Sequence, residues 1–277
     1  MAKDPEYVQQ FTLPWTVSLM EDDYGRRHYI CSGALISDRL AITDSSCFML
    51  SFFASIKIYV IAGEFGSNLL FPKTQERRVI QRINSRGEEN NFLQSDLTMV
   101  VLERPFKLNA DIQPICLPPP QEENQRKFYY KHCLSTSFPA DKHDSFMMPS
   151  LNHRKYELQL RRRFYVNPLN ETHCNTFPMP ILTHDSNKNL MSSLRCMGRD
   201  EGKDRNTCFS ELGAPIVCEV QNEGEEENSL TYRLVGLGRN TSPCNGLSMP
   251  NIVMNVEHYR NWIIQKIKEI HGINEVI

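Results

Sequence analysis

The chain has 277 residues, 40% of them hydrophobic, and a formal net charge of −2. That balance excludes a general electrostatic attraction to nucleic acid or to an anionic membrane, and no apolar run is long enough to span a bilayer, residues 48–54 being apolar but short. The length allows one large all-β domain or two small ones.

In chain order, residues 11–19 (FTLPWTVSL) alternate apolar and polar at Trp15, Val17 and Leu19, which is strand period. Residues 21–27 are charged and read as a loop. Cys31 and Cys47 bracket SGALISDRLAITDSS, with Ser45-Ser46 as a polar turn at a strand end. Residues 56–63 (IKIYVIAG) form a strand by β-branched content and alternation. The apolar stretch 94–102 (QSDLTMVVL) carries Asp96. Then comes IQPICLP, with Cys116.

The second half opens on Cys133-Leu-Ser-Thr-Ser-Phe-Pro, and residues 141–150 read as a polar, Met-rich surface loop. Arg161-Arg162-Arg163 lies in the alternating stretch 156–166 and reads as a solvated face, with a heparin-type patch as the weaker alternative. Residues 207–218 (TCFSELGAPIVC) place a turn-like Ser-Glu-Leu-Gly-Ala-Pro between two cysteines, and residues 232–238 (YRLVGLG) form a late strand. Tyr259, Trp262, Ile263, Ile267 and Ile270 recur at helical spacing and predict a C-terminal helix whose Trp262 stripe is core.

These motifs, in this order, resemble the chymotrypsin/trypsin family of serine proteases over about residues 13–270. The family's first strand reads Pro-Trp-x-Val-Ser-Leu. Its hairpin reads Cys-Gly-Gly-Ser-Leu-Ile through Thr-Ala-Ala-His-Cys, and its nucleophile loop Cys-x-Gly-Asp-Ser-Gly-Gly-Pro-(apolar)-(apolar)-Cys. The resemblance implies an all-β fold of two packed six-stranded antiparallel β-barrels with a C-terminal helix, spanning residues 1–277 as one trypsin-like domain. It also implies the pairings Cys31 with Cys47, Cys133 with Cys218, Cys174 with Cys196 and Cys208 with Cys244.

Laid on the family frame, the general-base histidine position holds Ser46, the triad aspartate position Asp96 and the nucleophile position Leu212. Serine titrates nowhere near neutrality, and leucine has no heteroatom to activate. Without the histidine, Asp96 reads as a structural hydrogen-bond acceptor rather than a catalytic group. The specificity-pocket floor holds Asn206, and Gly238-Arg239-Asn240-Thr241 replaces the substrate-pairing Ser-Trp-Gly. Family zymogens are activated when a newly cut terminal ammonium pairs with the aspartate beside the nucleophile. That position is Glu211 here, and no matching Ile-Val-Gly-Gly stands near residues 2–5. The oxyanion glycine is Ser210, whose Cβ narrows its backbone freedom. Triad and oxyanion hole act as a unit, so these departures together predict a chain without peptidase chemistry.

Nine cysteines predict an oxidising compartment, and the odd count leaves one over. Met1-Ala2-Lys3-Asp4-Pro5 is not followed by the apolar core of a signal peptide. The preferred reading is a secreted protein with an N-terminal regulatory region upstream. Cys116 would then be bonded to that region or to another chain; the alternative is a buried free thiol. Asn170 and Asn240 head glycosylation sequons.

The histidines form no metal-ligand spacing, there is no Cys-x-x-Cys pair, and no glycine-rich phosphate loop or dinucleotide fingerprint occurs, so no metal or other cofactor is expected. The functional expectation is a catalytically inactive serine protease homologue acting by protein binding, as cofactor, scaffold or decoy, on an active protease or its substrate. Insect-type homologues with a regulatory module are one subgroup it could join. Loops 21–27, 141–150 and the acidic 223–227 are candidate contact surfaces, or simply solvated loops. The alternative is an active endopeptidase with a relocated catalytic group, for which Ser46 and Ser210 are the nearby hydroxyls and no base is recognisable.

Overall fold

The computed structural model describes residues 13–23, 25–48, 57–64, 74–85, 97–120, 128–137, 161–168, 193–199, 211–222, 231–239 and 251–272. Twelve strands among them close into two six-stranded antiparallel barrels, the architecture expected from the sequence. The first barrel contains β1 (Thr16–Asp23), β2 (Arg26–Leu35), β3 (Leu40–Asp44), β4 (Lys57–Ala62), β5 (Gln75–Asn84) and β6 (Leu97–Leu102), ordered β1-β2-β3-β6-β5-β4. The second contains β7 (Phe128–Ser137), β8 (Arg162–Pro168), β9 (Leu194–Arg199), β10 (Pro215–Asn222), β11 (Thr231–Gly238) and β12 (Asn251–Asn255), ordered β10-β11-β12-β9-β8-β7.

Every residue of β3 and β6 is buried. Strand side chains alternate between faces. One face, with Ala41, Val100 and Leu102, fills the first barrel. The other, with Leu40, Ile42, Leu97, Met99 and Val101, packs on Val217, Leu234 and Leu237 of the second barrel. This shared core is why both strands read as continuous apolar runs rather than as alternating ones. The interior of the second barrel is a separate cluster including Phe164, Met197, Ile216 and Val235.

The helix α1 (Val256–His271) lays Val256, Tyr259 and Ile263 on the shared core, with Trp262, Ile267 and Ile270 packed against it. Glu257 sits in its first turn and takes the Arg195 guanidinium, and Gly272 ends it in the left-handed conformation with its N–H on the Lys268 carbonyl.

Two sequence readings are corrected. Residues 21–27 are mostly not a loop: β1 runs to Asp23 and β2 starts at Arg26. Asp22 stands opposite Arg27 in the register, with Arg27 Nε 3.9 Å from Asp22 Oδ2, so opposite charges meet across the hairpin within sheet. Gly25, at φ 85°, makes the tight reversal, and its N–H donates to Asp22 Oδ1 at 2.8 Å. The second correction concerns the arginine run: Arg161 is only 2% exposed and is not part of a solvated face. Loops 141–150 and 223–227 lie outside the described residues.

Disulfides join Cys31 to Cys47 and Cys133 to Cys218. Cys196 is also disulfide-bonded, while Cys174, Cys208 and Cys244 lie outside the described residues. Cys116 is a free thiol on the surface, not a buried one.

Candidate functional site

Between the barrels, three short segments meet. β3 ends at Asp44 and passes into a 3-10 turn, Ser45–Phe48. The disulfide from Cys47 ties this turn to β2. Asp44 caps it: Oδ1 accepts the Ser46 N–H at 2.8 Å and the Ser46 hydroxyl as well. Sequence reading recognised Ser46 but not this role for Asp44. The signal was there, an Asp two residues before a backbone N–H that needed an acceptor.

The Asp44 carboxyl is 1% exposed, and burial pushes it above the ordinary aspartate range, against the opposing pull of Arg239 and the two Ser46 bonds. Its Oδ2 and Arg239 Nη1 are both buried without a hydrogen-bond partner. A carboxyl whose folded pKa is raised contributes stability that is present below its unfolded value of 3.8 and is lost as pH rises through the folded value. Asp44→Asn keeps the Oδ1 acceptor and removes the charge. Its stability advantage over the parent is therefore expected to be near zero at the acid end and to grow as pH rises toward neutrality, read by urea unfolding across the range.

The second segment is the turn at residues 211–214. Ala214 N–H closes it on the Glu211 carbonyl at 3.1 Å, with Gly213 at φ 73°. Gly213 N–H donates to Gly238 O at 2.8 Å, and Gly238 N–H returns to Ala214 O at 2.7 Å, which fastens the turn to β11. Across the barrel boundary, Ser32 N–H donates to Leu212 O at 3.0 Å. The Leu212 side chain packs on the core of the first barrel, the cluster that contains Cys31 and Cys47. The position that the sequence aligns with a nucleophile is thus an apolar anchor.

The third segment is Arg161, immediately before β8. The register of β1 on β2 sets Ser18 opposite Ser32. Its guanidinium reaches both: Nη1 donates to Ser32 Oγ at 2.8 Å and Nη2 to Ser18 Oγ at 2.7 Å. Ser18 donates onward to Glu64, which follows β4, and Ser32 donates to Glu211 Oε1 at 2.9 Å. Arg161 Nη1 also lies 3.8 Å from Glu211 Oε2, and Tyr29 Oη is 3.0 Å from Ser32 Oγ. Burial lowers the guanidinium pKa to about 10, opposed by Glu64, so it stays charged at neutral pH. Sequence reading placed Arg161 on a solvated face and did not single out Glu64, because the contacts that define them are long-range.

Asp96, Asn206, Ser210, Asn170 and Asn240 lie outside the described residues. Of the described histidines, His132 pairs with Glu219 at 2.6 Å, His271 meets Ser37 at 3.3 Å and His258 stacks edge-on against Tyr259, while His28 is exposed on the β1–β2 hairpin. Among the described residues no group of three His, Cys, Asp or Glu side chains could hold a metal ion, and no helix is long and apolar enough to cross a membrane.

Comparison with known proteins gives a match to the Trypsin family model over residues 3–263. Serine protease 41 of Homo sapiens is 27% identical over 255 residues, covering 90% of this chain and 71% of that protein. Phenoloxidase-activating factor 2 of Galleria mellonella is 24% identical over 268 residues, covering 92% and 80%.

Proposed function

This chain belongs to the trypsin family, and from that premise we propose that it is a member without peptidase chemistry, acting by binding a protein partner in an extracellular proteolytic pathway. The observation that carries the reading is the Leu212 side chain packed on the first-barrel core at the position aligned with the nucleophile. A hydrocarbon there neither attacks a carbonyl nor passes a proton. The two resolved disulfides suit an oxidising compartment. The Galleria mellonella relative is named an activating factor, which is the kind of role a non-catalytic cofactor would fill. The partner would be an active protease or its substrate.

One observation favours a second reading. Ser46 Oγ donates to the buried carboxylate of Asp44, a hydroxyl beside a base. The same carboxylate oxygen also holds the Ser46 N–H, as a turn cap does, so the bond is accounted for by the turn alone. A fluorophosphonate probe separates the two readings. The native chain is expected to remain unlabelled; labelling at Ser46 would favour the relocated-nucleophile reading and overturn the first.

A double variant tests how far the departures reach. Ser46→His with Leu212→Ser is expected to hydrolyse peptide amides at the background rate, because two side chains do not undo the departures at Ser210, the oxyanion glycine position, and at Glu211. It is also expected to lose about 1–3 kcal/mol of stability through the exposed gap left by the leucine. Amide turnover well above background would show that only these two side chains separate the chain from an enzyme.

A further inference from the structure

On the first barrel, two exposed apolar side chains stand among the cations of β5 and of the stretch after β6. Of the large apolar side chains exposed among the described residues, Ile80, at 54%, and Leu108, at 46%, both belong here. Residues 75–82 and 103–108 together carry five arginines and lysines against two glutamates, in a chain whose formal net charge is −2. Glu76 takes Arg27 of the β1–β2 hairpin, and Glu103 Oε1 lies 3.7 Å from Arg104 Nε. Arg78, Arg104 and Lys107 are exposed.

Side-chain bonds hold the two segments side by side. Arg77 donates from Nε to Pro105 O at 2.9 Å, from Nη1 to Glu76 O at 2.8 Å and from Nη2 to Gln75 Oε1 at 2.8 Å, with its guanidinium 5.0 Å from the centre of the Phe106 ring. Gln75 Nε2 donates to Lys107 O at 2.7 Å, Lys107 N–H returns to Gln75 Oε1 at 3.0 Å, and Glu103 N–H donates to Arg78 O at 2.9 Å. Leu108 therefore adjoins the Gln75 end of β5, and Ile80 lies five residues along the strand, about 17 Å away at strand rise. The guanidiniums of this strip are held in place before anything binds, so little ordering cost remains.

We infer that this strip is a docking surface for an extended acidic segment of a protein partner, about six to eight residues long, with carboxylates over Arg77, Arg78 and Arg104 and an apolar side chain at each end, over Ile80 and Leu108. Burial lowers the Arg77 pKa and the like charge of Arg104 lowers it further, against Glu103, so the two guanidiniums repel and an anion laid across them relieves the repulsion. The apolar ends select a polypeptide over a sulfated polysaccharide, which has no hydrocarbon side chain to cover them. The strip shares no residue with the 44–48 and 211–214 turns, so the outcome of the fluorophosphonate experiment leaves it untouched.

Fluorescence anisotropy of a labelled peptide, Glu-Leu-Glu-Asp-Glu-Asp-Glu-Leu-Glu, titrated with the whole chain tests the inference. Saturable binding that weakens as salt is raised is expected. Arg78→Glu and Arg104→Glu are each expected to weaken it by roughly tenfold or more, and Ile80→Ser and Leu108→Ser by about threefold to tenfold with the salt dependence unchanged. All four side chains replaced are exposed, so the urea midpoints are expected to stay at the parent value, which separates lost docking from lost fold. The same peptide with serine for both leucines is expected to bind as weakly as the parent peptide binds the Ile80→Ser, Leu108→Ser double variant. Binding that is indifferent to both charge reversals would overturn the inference. So would equal affinity for the serine peptide or for dextran sulfate, since either would make the strip a general polyanion surface.

Discussion

Replacing Gly213 by alanine is expected to prevent the protein from accumulating in its folded form. Gly213 sits at φ 73°, where an L side chain is strained, and a Cβ built there would lie 2.1 Å from the Ser32 carbonyl oxygen and 2.2 Å from Thr43 Oγ1. Neither neighbour can give way. Ser32 is paired to Ser18 across β1 and β2 and donates its own N–H to Leu212, while Thr43 Oγ1 is held by its bond to Ser32 O at 2.7 Å. Backbone would have to move, and with it the contact between the 211–214 turn and the first barrel.

We expect a loss of about 4 kcal/mol or more, a large share of a typical domain's stability. Gly25→Ala is the control that separates the two causes. Its φ is 85°, but nothing lies within 4 Å of the built Cβ, so only backbone strain remains, about 1–2 kcal/mol. Soluble yield and urea midpoints of the two variants measure the difference. Similar losses at both positions would mean that the approach of the turn to β2 is looser than the contacts indicate.

The part of this site that could be read from the sequence is the part whose signals are local. Cys47 follows Ser46 directly, and the Gly213-Ala214-Pro215 frame follows Leu212, so both positions could be aligned from their flanks. β4 and β6 announced themselves by β-branched, apolar runs. β5 did not: Gln75 to Asn84 is largely polar, none of its residues is buried, and four are exposed, Ile80 among them at 54%.

The hairpin at Gly25 was hidden for a related reason. Charge was read as solvation, whereas Asp22 has its opposite, Arg27, across the ladder. Arg161 could not have been found at all by local reasoning. The bonds that make it a buried cation reach Ser32 and Ser18, 129 and 143 positions away, and Glu211 is bonded to Ser32 across 179. Three consecutive arginines look alike in sequence, and only the closing of the two barrels decides which one faces inward.

Removing the bond between Cys133 and Cys218 is expected to have the second-largest effect on the fold. Both residues are buried, on the neighbouring strands β7 and β10, where Val217 pairs with Leu134. The bond closes a loop with a sequence separation of 85, against 16 for Cys31 and Cys47. Chain-entropy reasoning gives roughly 4–5 kcal/mol for the longer loop and about 3 kcal/mol for the shorter. Cys133→Ala with Cys218→Ala should therefore lower the urea midpoint more than Cys31→Ala with Cys47→Ala, and treatment of the native chain with reductant should lower it more than either.

The order of these losses matters for function. Against a typical stability of about 5–15 kcal/mol, cross-links of this size decide whether the two-barrel frame stands. A chain that depends on them must fold where thiols are oxidised, which is the compartment the proposed binding role requires. If the reduced chain unfolds at the same urea concentration as the oxidised one, the frame is self-sufficient and the extracellular assignment loses its physical support. If it unfolds at a much lower concentration, the bonds that brace the two barrels also fix where the protein can work.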